Sequence, residues 1–77
     1  MAEIDQHIGG RLRRRRRELG LTQAAVGLAC GVRLQQIQKY ECGQNRMSAV
    51  RLWQLAKALR VDMSYFFIGL DERAKAA

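Results

Sequence analysis

The chain contains no proline, few aromatic residues and no long hydrophobic run. Aromatic residues make up 6% of its 77 residues, although 48% of all residues are hydrophobic. This composition favours a small, mostly helical domain over a β-sandwich or a disordered tail. The apolar stretches are far shorter than the roughly 20 residues that span a bilayer, and the N-terminal MAEIDQ lacks a signal-peptide pattern. We therefore expect a cytoplasmic protein without a membrane segment.

Cysteine and histidine are also scarce. Cys30 and Cys42 form no CxxC pair, and the single histidine, His7, has no cysteine or acidic pattern around it. We expect reduced thiols and neither a metal nor another cofactor. The catalytic Ser/His/Asp and Cys/His sets, the glycine-rich phosphate loop and the paired carboxylates of enzymes are missing as well. The sequence therefore does not predict an enzyme.

Acidic residues are nearly absent from the middle of the chain. Residues 11–60 contain twelve lysines and arginines but two acids, and the whole chain carries a net charge of +7. Such a localised positive charge indicates a polyanionic partner, either nucleic acid or an anionic membrane surface. The membrane alternative is weaker, because the apolar stripe of the first helix is narrow and is needed for the core.

Hydrophobic spacing and capping residues predict five helices. Apolar residues at helical spacing indicate a first helix over 5–19, with Asp5 as its cap and Gly20 as its stop. Thr22 and Gly31 are typical of the start and end of a second helix. The third helix is predicted over 34–41, a fourth after Ser48 and a short fifth after Asp62 or Ser64. We predict an all-α, five-helix, single domain over residues 1–77, with a core of about residues 5–69.

The second and third predicted helices have a specific arrangement. Two short helices joined by a glycine-containing turn, the second with a polar outer face, allow one helix to cross the DNA backbone while the next enters the major groove. The sequence closely resembles the Cro/repressor-type helix-turn-helix family, also called the XRE family, over about residues 8–69. The residues that carry the resemblance are Gly20-Leu21-Thr22-Gln23, Gly31-Val32, Ile37, Tyr40-Glu41 and Gly43. It implies a transcriptional regulator, commonly a repressor, that binds a palindromic site on double-stranded DNA as a homodimer.

The resemblance assigns backbone contacts to two places. Gln23, beside the cap Thr22, would bind a phosphate at the N-terminus of the second helix, where free N–H groups favour an anion. A capping role alone stays open for both residues. Asn45 and Arg46, in the loop after the third helix, match further backbone contacts, which set register without reading sequence. A merely solvated loop is the alternative.

The third helix carries the residues expected to read bases. Glutamine can bond adenine, arginine and lysine suit guanine, and leucine can contact a thymine methyl group. An ordinary solvated face is the alternative, but Glu41 is the one acid between residues 19 and 61. By resemblance the reading positions are Arg33, Leu34, Gln35, Gln36 and Lys39.

The arginine run over 13–17 points around the whole helix, so its members differ in role. Arg16 lies on the inward stripe, and the resemblance pairs it with Glu41 in an ion pair between the first and third helices. The other arginines raise the general field, with Arg11 or Arg14 as candidate phosphate contacts.

Four positions depart from the family pattern, and one of them is Cys42, which stands where a polar residue is common. Gly27 stands where alanine is usual, which costs the second helix about 1 kcal/mol in propensity. Arg33 replaces the usual serine or threonine cap of the third helix, and phosphate binding is an alternative role for it. Arg60 replaces a glycine after the fourth helix.

Four of the five aromatic residues lie toward the C-terminus. We expect Phe66 in the core, whereas for Trp53, Tyr65 and Phe67 both core packing and a homodimer interface stay open, since exposed aromatic patches mark interfaces. A protein-interaction module, such as an antitoxin or adaptor, is the competing functional class. In that class, substitution of Trp53 or Phe67 would abolish the partner complex but spare DNA affinity.

Overall fold

The computed structural model describes residues 2–72. It contains four α-helices and a 3₁₀ helix, and no strand occurs among these residues. The prediction of an all-α fold is confirmed. The elements are α1 (Ala2–Glu18), α2 (Gln23–Cys30), α3 (Leu34–Glu41), α4 (Ala49–Leu59) and the 3₁₀ helix (Met63–Phe67).

Side-chain caps begin α2, α4 and the 3₁₀ helix. The Thr22 hydroxyl accepts a hydrogen bond from the Ala25 N–H at 3.0 Å, and the Ser48 hydroxyl accepts one from the Arg51 N–H at 3.1 Å. Asp62 caps the 3₁₀ helix in the same way. Since each cap satisfies an N–H that the helix itself leaves free, these residues determine where the helices begin.

The first and last elements differ from the sequence prediction. Because α1 begins at Ala2, Asp5 lies within its first turn and is not its cap. The last element is a 3₁₀ helix that ends at Phe67, because Ile68 has extended backbone angles and Gly69 a positive φ of 84°. A new helical turn begins at Leu70.

The core lies where the four α-helices and the 3₁₀ helix meet. Its fully buried side chains are contributed by every element, and they are Leu12, Val26, Ile37, Leu55, Leu59 and Phe66. Burial of one such leucine or phenylalanine contributes about 1.5 to 3 kcal/mol. This packing holds the inner face of α3 and leaves its outer face toward solvent.

Three polar side chains of α1 tie the C-terminal elements to the first helix. His7, Arg11 and Arg15 lie at spacings of four residues, on one side of the helix. His7 Nε2 lies 2.7 Å from the Ile68 carbonyl oxygen, while Arg11 and Arg15 donate from Nε to the carbonyls of Tyr65 and Leu59, each at 2.9 Å. Arg11, considered above for a phosphate contact, is therefore engaged within the fold.

Candidate nucleic-acid interface

A tight turn fixes α3 relative to α2. Gly31 ends α2 with a φ of 71°, in the left-handed region where glycine has no Cβ penalty. The Val32 N–H then donates to the Gly27 carbonyl at 2.9 Å. The turn is therefore closed by backbone hydrogen bonds, and α3 starts three residues after Gly31.

Gly27 is required by the close approach of this turn. A Cβ added there would lie 2.6 Å from the Val32 carbonyl oxygen and 3.5 Å from Ile37 Cγ1. The first distance is shorter than real contacts allow, so the turn would have to move. From the sequence, Gly27 was expected only to lower the helix propensity of α2. The structure shows that the absence of a Cβ at this position permits the turn.

The two faces of α3 have different roles. Ile37 and Tyr40 point inward and are buried, while Gln35 and Lys39 are exposed and Gln36 is half-buried. Arg33 occupies the N-cap position without a side-chain capping bond, as its residue type predicts. Leu34, also expected to meet bases, is 38% exposed. The five positions therefore form an accessible surface that begins at the N-terminus of α3.

A buried hydrogen-bond network joins the ends of α1, α2 and α3. Arg16 donates to both carboxylate oxygens of Glu41, from Nε at 2.7 Å and from Nη2 at 3.1 Å. Its Nη1 donates to the Leu21 carbonyl at 3.0 Å. Gln23 Nε2 also donates to Glu41 Oε1 at 3.0 Å. The pair expected between Arg16 and Glu41 is thus present, and it includes the glutamine at the start of α2.

The loop after α3 brings Asn45 and Arg46 near the N-terminus of α1. Arg46 donates to both oxygens of Asp5, at 3.2 and 3.4 Å, while its side chain remains 67% exposed. Asn45 is half-buried, and its N–H lies 3.4 Å from the Lys39 carbonyl oxygen. The guanidinium of Arg46 is therefore accessible to an anion, but Asp5 competes for it.

Arg51, in the first turn of α4, is a residue of this surface that the sequence did not indicate. Its Nη1 donates to the Cys30 carbonyl at 3.1 Å and to Gln54 Oε1 at 2.8 Å. Arg51 and Cys30 are 21 positions apart, so no local sequence pattern predicts their contact. Arg51 links the C-terminus of α2 to α4 and places a charge beside the turn.

The aromatic residues divide between core and surface. Phe66 is fully buried, as expected, whereas Trp53 and Phe67 are 53% and 42% exposed. Tyr65 is half-buried against the core, with the Arg11 guanidinium 3.9 Å from its ring centroid. The Tyr65 hydroxyl is buried and has no hydrogen-bond partner among the described residues.

The two thiols lie in different surroundings. Cys42 is exposed and Cys30 is half-buried; burial raises the pKa of the Cys30 thiol, and the charge of Arg51 partly offsets this. Within residues 2–72, no three His, Cys, Asp or Glu side chains cluster as metal ligands would. No helix in this range has the length and apolar character needed to cross a membrane.

The geometry described above is that of a known domain family. The family model HTH_3, helix-turn-helix, matches residues 12–66, which include α2, the turn and α3. The chain belongs to the helix-turn-helix family. Its fold is the DNA-binding fold of HTH-type transcriptional regulators.

Curated relatives of this helix-turn-helix chain carry the same description. One, an uncharacterized HTH-type transcriptional regulator of Sinorhizobium fredii named y4wC, is 52% identical over 64 residues. These residues make up 83% of this chain and 45% of that protein. Another, from Rhodospirillum rubrum, is an uncharacterized transcriptional regulator in the ATPase CF(0) region, 52% identical over 88% of this chain and 63% of its own. The chain thus spans about half the length of the curated relatives it matches.

Solved structures of similar fold are also regulators. The restriction-modification controller protein C.AhdI of Aeromonas hydrophila superposes with a TM-score of 0.82 and 29% identity, over 86% of this chain and 96% of its own. The clp gene regulator ClgR of C. glutamicum gives a TM-score of 0.81 over 84% of each chain. At 23% identity, ClgR supports the fold alone.

Proposed function

We propose that this domain binds double-stranded DNA sequence-specifically, with α3 in the major groove, and regulates transcription from the bound site. Repression is the expected outcome, since a domain seated on a promoter blocks access to it. The protein would act in the cytoplasm, associated with the nucleoid.

The observation that carries this proposal is the character of the outer face of α3. A helix N-terminus with glutamines and basic side chains can bond base edges in the major groove, where each base pair presents a distinct pattern. Within this helix the one acid, Glu41, is buried and paired with Arg16. The face offered to DNA therefore consists of the polar side chains of Arg33, Gln35, Gln36 and Lys39 with the apolar Leu34 beside them, and it carries no repelling carboxylate.

The backbone contacts are proposed at both ends of this face. Gln23 is held by Glu41 through one amide hydrogen, and an amide nitrogen carries two, so the second can meet a phosphate beside the Thr22 cap. Arg46 and Asn45 would contact the backbone from the loop after α3. These contacts would set the register in which α3 meets the bases.

A homodimer completes the proposed function. Trp53 and Phe67 expose much of their aromatic surface to solvent. Exposed apolar surface of this kind often marks an interaction site, because its burial in a complex is favourable. Trp53 and Phe67, together with Tyr65, would join two copies and place two α3 helices on a palindromic operator.

Selection from a random duplex library tests the proposal. The purified protein is incubated with the library at about 150 mM salt, where non-specific phosphate contacts are weakened, and the bound DNA is sequenced. We expect an inverted repeat whose half-sites lie about one helical turn apart. A pool without an enriched motif would contradict sequence-specific regulation.

The dimer is tested separately with Trp53→Ser and Phe67→Ser. Each substitution should raise the dissociation constant of the dimer, measured by sedimentation. Each should also weaken binding to the full repeat more than binding to a half-site. If both variants kept their DNA affinity but no longer bound a different protein that the wild type binds, the interaction module would replace the dimer as the role of these residues.

A further inference from the structure

A shallow recess of about 390 Å³ lies between the start of α3 and the first turn of α4. Its walls come from the turn, from α3 and from α4. The residues that supply its charge are Arg33, Lys39 and Arg51, and no acidic residue lines it. An uncompensated cluster of three cations around one depression is a place where an anion gains attraction from every side.

Arg51 is fixed in this recess by one of its nitrogens. Nη1 makes both of its hydrogen bonds, to the Cys30 carbonyl and to Gln54 Oε1. Within residues 2–72, its Nε and Nη2 have no hydrogen-bond partner. The guanidinium is therefore held in position on one edge while its other donors remain available, which is the preorganisation that favours binding of an anion.

The recess lies beside the proposed base-reading residues, because Gln35 and Gln36 also line it. A helix seated in the major groove is flanked on both sides by phosphate backbones, since the groove is about 12 Å wide. The anion that meets a basic recess along the side of such a helix is therefore a DNA phosphate.

We propose that Arg51 binds a phosphate of the DNA backbone on the α4 side of the recognition helix, while the charges of Arg33 and Lys39 in the same recess add to the attraction for that phosphate. This inference rests on the proposed function. It adds a backbone contact to those proposed for Gln23 at the start of α2 and for Arg46 in the loop after α3. Because Arg51 also donates to the Cys30 carbonyl, the bound phosphate would be fixed relative to the turn that orients α3.

The proposal is tested by measuring whether the effect of neutralising a single phosphate of the selected site depends on Arg51. Duplexes with one neutral methylphosphonate at successive backbone positions are bound to the wild type and to Arg51→Gln. At one position in each half-site, we expect neutralisation to weaken the wild type about tenfold and the variant by less than about twofold. Arg51→Gln should also reduce the slope of log affinity against log salt by about one, without changing the preferred bases.

Two further variants separate contact from folding. Arg51→Lys keeps the charge and should retain most of the salt slope, whereas Arg13→Gln removes a charge from an exposed position of α1 outside the recess and should leave the slope nearly unchanged. Helical circular dichroism and thermal unfolding verify that each variant is folded. If Arg51→Gln were unfolded, the methylphosphonate comparison would use Arg51→Met, which removes the charge and keeps most of the apolar stem of the side chain.

The outcomes distinguish this inference from the function on which it rests. A wild type that selects no DNA motif would contradict the proposed function itself. If the wild type binds its motif but Arg51→Gln is weakened by every neutralised phosphate as much as the wild type is, the recess is not a phosphate site and the proposed function stands.

Discussion

Arg16 and Glu41 form a buried ion pair with two hydrogen bonds, at 2.7 and 3.1 Å, between α1 and the last residue of α3. Their side chains are 11% and 3% exposed. The cost of desolvating two charges offsets much of their attraction, so the pair is not itself a large source of stability. Its effect is positional, because Glu41 also accepts from Gln23 and so fixes the start of α2 relative to α3.

Removing the charge of Glu41 should destabilise the domain strongly. Glu41→Gln leaves the Arg16 guanidinium buried without a countercharge, which costs about 3 kcal/mol or more. For a domain of this size that loss lowers the melting temperature by at least about 12 °C. Thermal unfolding measures the difference.

Glu18→Gln is the matched control for that variant. Glu18 lies at the surface, 3.5 Å from Arg14 and from Arg15, and exposed pairs contribute about 0 to 1 kcal/mol. Similar destabilisation by both substitutions would contradict the role assigned to the buried pair.

Two glycine-to-alanine substitutions in helices should have opposite effects. Gly27→Ala places a Cβ 2.6 Å from the Val32 carbonyl oxygen, and the forced shift of the turn should cost about 1 to 2 kcal/mol. Gly10→Ala meets no atom within 4 Å and should stabilise α1 by about 0.5 to 1 kcal/mol. Chemical denaturation compares them, and stabilisation by Gly27→Ala would show that helix propensity dominates there.

Arg60 holds a backbone conformation that suits glycine better. It ends α4 with a φ of 59°, the one positive φ at a non-glycine position among the described residues. Arg60→Gly should stabilise the domain by about 0.5 to 1 kcal/mol, because the strain of the left-handed conformation exceeds the added freedom of the unfolded chain. Arg60→Gln keeps the strain and loses the charge, so its midpoint of unfolding should stay near that of the wild type.

Arg46 and Asp5 should change DNA affinity in opposite directions. Arg46→Gln removes the proposed phosphate contact, so affinity should fall and the salt slope should decrease by about one, with base preference unchanged. Asp5→Asn releases Arg46 from its carboxylate partner and should raise affinity. Fluorescence anisotropy over a series of salt concentrations measures both. A slope unaffected by Arg46→Gln would remove Arg46 from the backbone contacts.

The sequence predicted those parts of the fold that local chemistry determines. Thr22, Gly31 and Ser48 marked helix ends correctly, because a cap acts on N–H or C=O groups within a few residues. Asp5 was misassigned as a cap, since its actual partner, Arg46, is 41 positions away.

The site was predicted less completely for the same reason. The polar face of α3 follows from helical spacing, but the roles of individual arginines do not. Arg11 contacts the Tyr65 carbonyl and Arg51 contacts the Cys30 carbonyl, and neither pairing leaves a pattern in nearby sequence. The need for glycine at position 27 likewise depends on how the chain turns after α2.

Base reading by the outer face of α3 is tested most directly by parallel selections with the wild type and Gln35→Ala. Both proteins are given the same random duplex library at about 150 mM salt. We predict that the wild type enriches an inverted repeat, and that the variant enriches the same repeat with relaxed preference at one position in each half-site, because one side chain that bonds a base edge is lost. An identical motif from both proteins would show that Gln35 reads no base, and no motif from either would contradict the account of α3 as a recognition helix.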